Sequence, residues 1–146
     1  MTADDIQRIL TDSKTVASVG LSANPEKESF GIAAYLKDAG YRIIPVNPKG
    51  GEILGEAAYT DLLSIPEKVD VVQLFRPSAE VMPFVEQAIQ IGAKVVWMQE
   101  GITNVDAAQT ARAAGLEVVM DLCMREAHKY FFGTREAGDG QSAGVV

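Results

Sequence analysis

From Val16 to Gly31 the chain reads V-A-S-V-G-L-S-A-N-P-E-K-E-S-F-G: a short apolar strand that breaks at Gly20 and runs into a helix opened by Ser29. The first amides of a helix have no partners within it, and with the helix dipole they attract anions, phosphate oxygens above all. Gly20 permits the tight strand-to-helix turn and also close approach of a ligand to the backbone. Two further loops carry groups suited to the same ligand: Asn47-Pro48-Lys49-Gly50-Gly51 after one apolar run, and Arg76-Pro77-Ser78 after another. Lys27, Lys49 and Arg76 therefore gather positive charge at turns of a chain whose formal net charge is -7. Such local cations could hold a polyanionic nucleotide on an otherwise acidic surface.

The elements that must position these loops follow from the apolar pattern. Val16 to Val19, Arg42 to Val46, Val69 to Phe75, Lys94 to Met98 and Leu116 to Met120 are short, rich in valine and isoleucine, and bounded by Gly, Pro or charge. Runs of this kind are buried parallel strands. Between them lie helical patterns: Ile32, Tyr35, Leu36 and Ala39 on one face before Gly40, and Val81, Phe84, Val85, Ala88 and Ile89 on another before Gly92. Asn104 caps an alanine-rich helix that stops at Gly115, and R-E-A-H-K-Y-F-F forms a terminal helix. At the N-terminus Thr2 and Asp5 are spaced as a capping box, with Ile6, Ile9 and Leu10 on one helix face.

Strand and helix alternate throughout, so the expected fold is α/β: an open parallel sheet of about five main strands with helices on both faces, built from right-handed crossovers. The stretch from Asn47 to Glu67 breaks the rhythm. It is expected to hold a very short strand around Ala58 and Tyr59 and a helical turn from Asp61 to Ile65. With 146 residues and 47% hydrophobic content, one domain over residues 1–133 is expected, followed by a flexible polar tail over 134–146. The pI near 4.7 argues against general nucleic-acid or anionic-membrane binding. With no bilayer-length apolar run and no basic leader, a cytoplasmic location is expected. Cys123 is the single cysteine, which excludes an internal disulfide, and with one histidine there is no ligand cluster for a metal.

Open parallel sheets bind ligands beyond the carboxyl ends of their strands, where strand order reverses. Gly20, Asn47 to Gly51, Arg76 to Ser78 and Gln99-Glu100-Gly101 all follow predicted strands. A domain for NAD would show G-x-G-x-x-G after its first strand and an acidic residue ending its second. Here Gly20 stands alone before Gly31, and the second strand ends in Val46-Asn47-Pro48-Lys49, where a cation suits a phosphate near the ribose.

Five ordered blocks carry a resemblance: V-G-L-S-A-N-P-E-K-E-S-F, Y-R-I-I-P-V-N-P-K-G-G-E-I-L-G-E, V-D-V-V-Q-L-F-R-P-S, V-W-M-Q-E-G-I and D-L-C-M-R-E-A-H. From about Asp4 to Gly133 the chain resembles the small single-domain coenzyme A-binding proteins. Their Rossmann-like domain is similar to the N-terminal domain of the succinyl-coenzyme A synthetase alpha subunit. The resemblance implies a ligand with an ADP 3′-phosphate, a pyrophosphate and a pantetheine arm ending in a thiol. It implies that Gly20, Ser22, Lys27, Ser29 and Phe30 lie near the phosphates, and Val46, Asn47, Pro48 and Lys49 near the adenosine end. Phe75, Arg76 and Pro77 would flank the nucleotide.

A synthetase of that kind needs a second domain bearing a phosphorylated histidine, and this chain is expected not to run that reaction alone. His128 falls in the terminal helix rather than in a glycine-rich loop. Paired with Cys123 it makes a poor nucleophile and base, because a spacing of five does not align two residues on one helix face. Both residues are expected to be structural, as are Trp97, Met98 and Met120. Glu100 could accept from ligand hydroxyls or amides, yet would repel phosphates, so its role stays open. The leading expectation is a non-catalytic binder of coenzyme A or acyl-coenzyme A. The alternatives are an NAD(P)- or nucleotide-dependent enzyme, an acyl-coenzyme A synthetase-type subunit with its catalytic half on a partner chain, and a sensor of acyl-coenzyme A.

Overall fold

In the computed structural model residues 1–133 are described, and the expectation for the tail lies outside them. The elements in chain order are α1 (Ala3–Asp12), β1 (Thr15–Val19), α2 (Glu28–Asp38), β2 (Arg42–Val46), β3 (Glu52–Ile53) and β4 (Glu56–Ala57). Then come β5 (Val71–Leu74), α3 (Met82–Gln90), β6 (Val95–Met98), α4 (Val105–Ala113), β7 (Glu117–Val119) and α5 (Met124–Phe132). Five strands form a wholly parallel sheet in the order β2-β1-β5-β6-β7. The α/β expectation holds, with the strands where the valine-rich runs placed them.

Each strand divides its side chains between two layers, as a period of two requires. Ala17, Val19, Val72, Leu74, Val96 and Met98 pack toward α3 and α4, against Val85, Ala88, Ala107 and Ala111. Val16, Val71, Val95 and Trp97 pack toward α1, α2 and α5, against Leu10, Leu36 and Met124. The alanines let α4 lie close to the sheet. The expected capping box closes α1: Thr2 Oγ1 accepts from the Asp5 amide at 3.1 Å while Asp5 accepts from the Thr2 amide at 3.0 Å. Asn104 caps α4 by accepting from the Ala107 amide. On α2 one expected core residue moves: Ala39 is exposed, because the helix already closes there and its buried face runs through Ile32, Ala33 and Leu36.

The irregular stretch differs from expectation in a specific way. The short strand near Tyr59 is reduced to one parallel bridge with Val46, the Tyr59 amide donating to Pro45 O and the Asn47 amide to Tyr59 O. Ahead of it stands an unanticipated antiparallel hairpin, β3 against β4. Its turn, Leu54-Gly55, has positive φ at both positions, the requirement of a tight two-residue hairpin. Leucine is a poor residue for that conformation. Charge holds it: Lys37 Nζ donates to Leu54 O and pairs with Glu56, while Arg42 bridges Glu56 and Glu67. The helical turn is present as a 3₁₀ turn over Leu62–Ser64, capped by Asp61.

On the layer that carries α1 and α2, α5 docks on α2 through an aromatic cluster. His128 Nδ1 lies 2.8 Å from Tyr35 Oη, and the imidazole is flanked by Tyr41 and Phe132. His128 thus packs against α2, and Cys123 is buried in the same layer. Burial holds the imidazole below its ordinary value of 6.5, so the folded chain keeps it neutral where the unfolded chain protonates it. Its contribution to stability is complete above pH 6.5 and is lost as pH falls through the folded-state value. Glu56 and Glu67, held down by Arg42, begin to lose their contribution about one pH unit above their ordinary 4.5. Chemical denaturation between pH 6.5 and about 5.5 should therefore show stability falling with acid in the native chain and nearly flat in His128→Gln. Equal slopes would exonerate the histidine.

Candidate functional site

The connection from β1 runs through α2 to β2 on one side, whereas the next sheet strand, β5, pairs with β1 on the other. The crevice between the tips of β1 and β5 is thus the point where strand order reverses. Backbone bonds hold its walls: the Gly20 amide donates to Val46 O at 2.9 Å and the Phe75 amide to Val19 O at 2.9 Å. Three of the four predicted loops, after β2, β1 and β5, sit side by side.

Within the β1–α2 loop each polar side chain supports the next. The Ser22 amide donates to Ser29 Oγ at 3.1 Å, the Asn24 amide to Ser22 Oγ at 3.0 Å, and the Glu26 amide to Asn24 Oδ1 at 2.9 Å. Each serine oxygen accepts, which leaves its hydroxyl proton for another acceptor. Ser29 does not open α2, as the sequence suggested; it is the second residue of the helix, and Lys27 occupies the cap position without a side-chain capping bond. The reason is that Ser29 is committed to closing the loop onto Ser22. Phe30 packs partly into the layer beneath.

Asn47 has both ends of its side chain engaged, Nδ2 donating to Leu21 O at 3.0 Å and Oδ1 accepting from the Lys49 amide at 2.8 Å. Its evident task is to tie the β2 tip to the β1 tip. The Val46 side chain is core, so only its backbone reaches the tip. Pro48 and Lys49 are exposed, and Pro77 precedes a 3₁₀ turn over Ser78–Glu80. Among the described residues the ammonium groups of Lys27 and Lys49 have no ion-pair partner, whereas Arg76 is paired with Glu80 one helical turn along. The aliphatic part of Arg76 lies over Gly20: a Cβ added there would stand 3.0 Å from Arg76 Cδ and 3.3 Å from Phe75 Cβ.

Beside this crevice is a cavity of about 180 Å³ that takes in two predicted residues, Ser29 and Phe75. Gln99 and Glu100 beyond β6, Ile102, and Cys123 at the start of α5 complete it with Glu28 and Ile32. A second cavity, of about 250 Å³, lies between α1, α5 and the α2–β2 turn at the amino ends of the strands. Position favours the smaller one, since the loops converge at the carboxyl ends.

The sequence reading placed Gln99 at a strand tip but gave it no role in the site, and it did not single out Arg125. Arg125, on the first turn of α5, stands 4.0 Å from Glu28 at the start of α2 and so adds a cation beside the crevice. Gln99 belongs to a buried relay: Ser18 Oγ donates to Gln73 Oε1 at 2.7 Å, Gln73 Nε2 to Gln99 Oε1 at 3.0 Å, and the Met124 amide to the same Gln99 oxygen at 3.0 Å. A signal was present, since Ser18 and Gln73 are polar residues inside otherwise apolar strands, and buried polar groups must find partners.

A family profile described as a CoA binding domain matches residues 14–129. The chain belongs to the CoA-binding domain family. Among its relatives, the uncharacterized protein YneT of Bacillus subtilis is 40% identical over 124 residues, covering 85% of this chain and 92% of that one. A solved structure of a hypothetical protein from Pyrococcus horikoshii is 44% identical with a TM-score of 0.86, covering 88% of this chain and 91% of that one. The acetate–CoA ligase [ADP-forming] I subunit alpha of Pyrococcus furiosus is 39% identical over 93 residues, which are 60% of this chain and 20% of the subunit. The CoA-binding domain is thus homologous to the N-terminal domain of such alpha subunits and spans about a fifth of this one.

Within this family fold Gly20 is the most constrained loop position: its φ is +87° and its missing Cβ leaves room for Arg76. Gly20→Ala should destabilise the fold by about 1–2 kcal/mol in urea denaturation, chiefly from backbone strain. The loss should persist in an Arg76→Ala background, where the crowding is relieved but the strain is not.

Proposed function

We propose that the protein binds coenzyme A or an acyl-coenzyme A through its phosphates, at the crevice between the β1 and β5 tips, without catalysis of its own. The observation that carries this reading is the start of α2, uncapped by any side chain and flanked by Lys27, Lys49 and Arg76 on three adjacent loops. The Glu28 and Ser29 amides, which make no hydrogen bond among the described residues, and the two serine hydroxyls supply donors for a pyrophosphate, and Lys49 suits a 3′-phosphate on the ribose. The CoA-binding family match supports the choice of coenzyme over NAD, as does the absence of an acidic residue at the β2 tip. No helix among the described residues is long and apolar enough to cross a membrane, and none of those residues form a metal-binding cluster.

Calorimetry with coenzyme A, dephospho-coenzyme A and NAD tests the reading. Coenzyme A should bind tightest, and Lys49→Ala should remove most of its advantage over the dephospho form. No heat from any of the three would refute the proposal. Affinity should fall with rising salt, because exposed charge pairs are screened beyond about 10 Å at 0.1 M.

Glu80 competes with the ligand for Arg76. Replacing Glu80 with Gln removes that competitor, and affinity for coenzyme A should rise about threefold, as loss of an exposed ion pair allows. Unchanged or weaker binding would mean that Arg76 does not face the phosphates.

A second reading follows from the ligase homology: the chain acts as the coenzyme-binding part of a synthetase-type assembly. Co-purification with a larger partner chain, and acyl-coenzyme A turnover only in its presence, would favour it.

A further inference from the structure

The Ser18–Gln73–Gln99 relay has a fixed polarity. A backbone amide can only donate, so the Met124 N–H requires an oxygen at the atom it meets, which is Gln99 Oε1. That oxygen then takes its second bond from a donor, Gln73 Nε2, and the remaining Gln73 oxygen receives the Ser18 hydroxyl. The start of α5 therefore orients three side chains across three strands. Cys123 gives α5 no side-chain cap, so Gln99 serves as the cap from outside the helix.

What remains is the Gln99 Nε2 group. The residue is only 4% exposed, and among the described residues this amide nitrogen makes no hydrogen bond. No fully enclosed side-chain N or O atom among those residues lacks a partner, so the amide keeps some accessible surface, and the opening that Gln99 lines is this cavity. An unpaired donor held so firmly at the wall of a polar cavity is arranged for an acceptor.

The cavity limits what that acceptor can be. At about 180 Å³ the cavity is small, with room for a carbonyl and its neighbours. Glu28 and Glu100 line the same space, which disfavours an anionic group, while Ile32, Ile102 and Cys123 suit an uncharged chain. Ser29 and Phe75 join the cavity to the loops that would hold the phosphates.

Building on the coenzyme reading above, we propose that Gln99 Nε2 donates a hydrogen bond to a neutral carbonyl oxygen on the arm of the ligand. That carbonyl belongs either to an amide of the pantetheine chain or to the thioester of a short acyl group.

Gln99→Glu, assayed in mildly alkaline buffer so that the carboxylate is ionised despite its burial beside Glu28 and Glu100, tests this. One carboxylate oxygen keeps both bonds that Gln99 Oε1 accepts, while the donor becomes an acceptor. Adenosine 3′,5′-bisphosphate, coenzyme A and acetyl-coenzyme A serve as probes in calorimetry. If the pantetheine amide is the partner, the variant binds coenzyme A and acetyl-coenzyme A about tenfold or more weakly and the bisphosphate unchanged. If the thioester is the partner, only acetyl-coenzyme A is weakened. Cys123→Leu, which narrows the cavity from the α5 side, should give the same selective loss and serves if the Glu variant does not fold. Equal effects on all three probes, or none, would overturn the subsite. So would a native protein that binds the bisphosphate as tightly as coenzyme A, an outcome that leaves the coenzyme reading standing. Failure of the native protein to bind any probe would overturn both.

Discussion

Parallel pairing of β1 with β2 on one side and β5 on the other is the constraint on which the site depends. Right-handed crossovers leaving a central strand in opposite directions must part above its carboxyl end, and no covalent connection closes the gap. Loops from three neighbouring strands then share one rim. The amides at the start of α2 face that rim because the helix begins where the β1 loop ends. Lys27, Lys49 and Arg76, far apart in sequence, are brought to neighbouring loops by strand order alone.

A second constraint acts from beneath. Burying Ser18, Gln73 and Gln99 would be costly if any were left without a partner, and unpaired buried polar groups cost about 1–3 kcal/mol each. The relay resolves this by ending on the α5 backbone, so sheet and helix are mutually positioned by directional bonds as well as by packing. It lies on the layer that carries α1, α2 and α5, the layer that also presents Phe75 and Cys123. A purely aliphatic strand end would pack as well, but would leave no oriented donor beside the crevice.

Much of the architecture is legible in local pattern. Valine-rich runs bounded by glycine mark the five sheet strands, and Thr2, Asp5 and Asn104 mark two helix starts by side chains whose geometry is local. Reading Ser29 as the residue that opens α2 fails for an instructive reason: serine is a good cap, yet its oxygen is taken by the Ser22 amide seven residues back. The β3–β4 hairpin is invisible to propensity, since its turn puts a leucine at positive φ and is held by Lys37 and Arg42 from other elements. Asn47 could be recognised as a turn residue, but not as the tie between two strand tips. Arg125 carried no local sign of its place, because only the docking of α5 on α2 brings it near the crevice.

The amino-acid sequence by itself determines the alternation of strand and helix, the glycine break after β1, the three cations near strand ends and the absence of an NAD fingerprint. These are local properties, set by side-chain size, periodicity and backbone freedom. Only the tertiary structure decides that Arg76 lies over Gly20 and that Gln99 joins Gln73 and the Met124 amide beside a cavity. Those depend on bonds between residues distant in the chain, and a hydrogen bond's direction is settled only when donor and acceptor have been brought together.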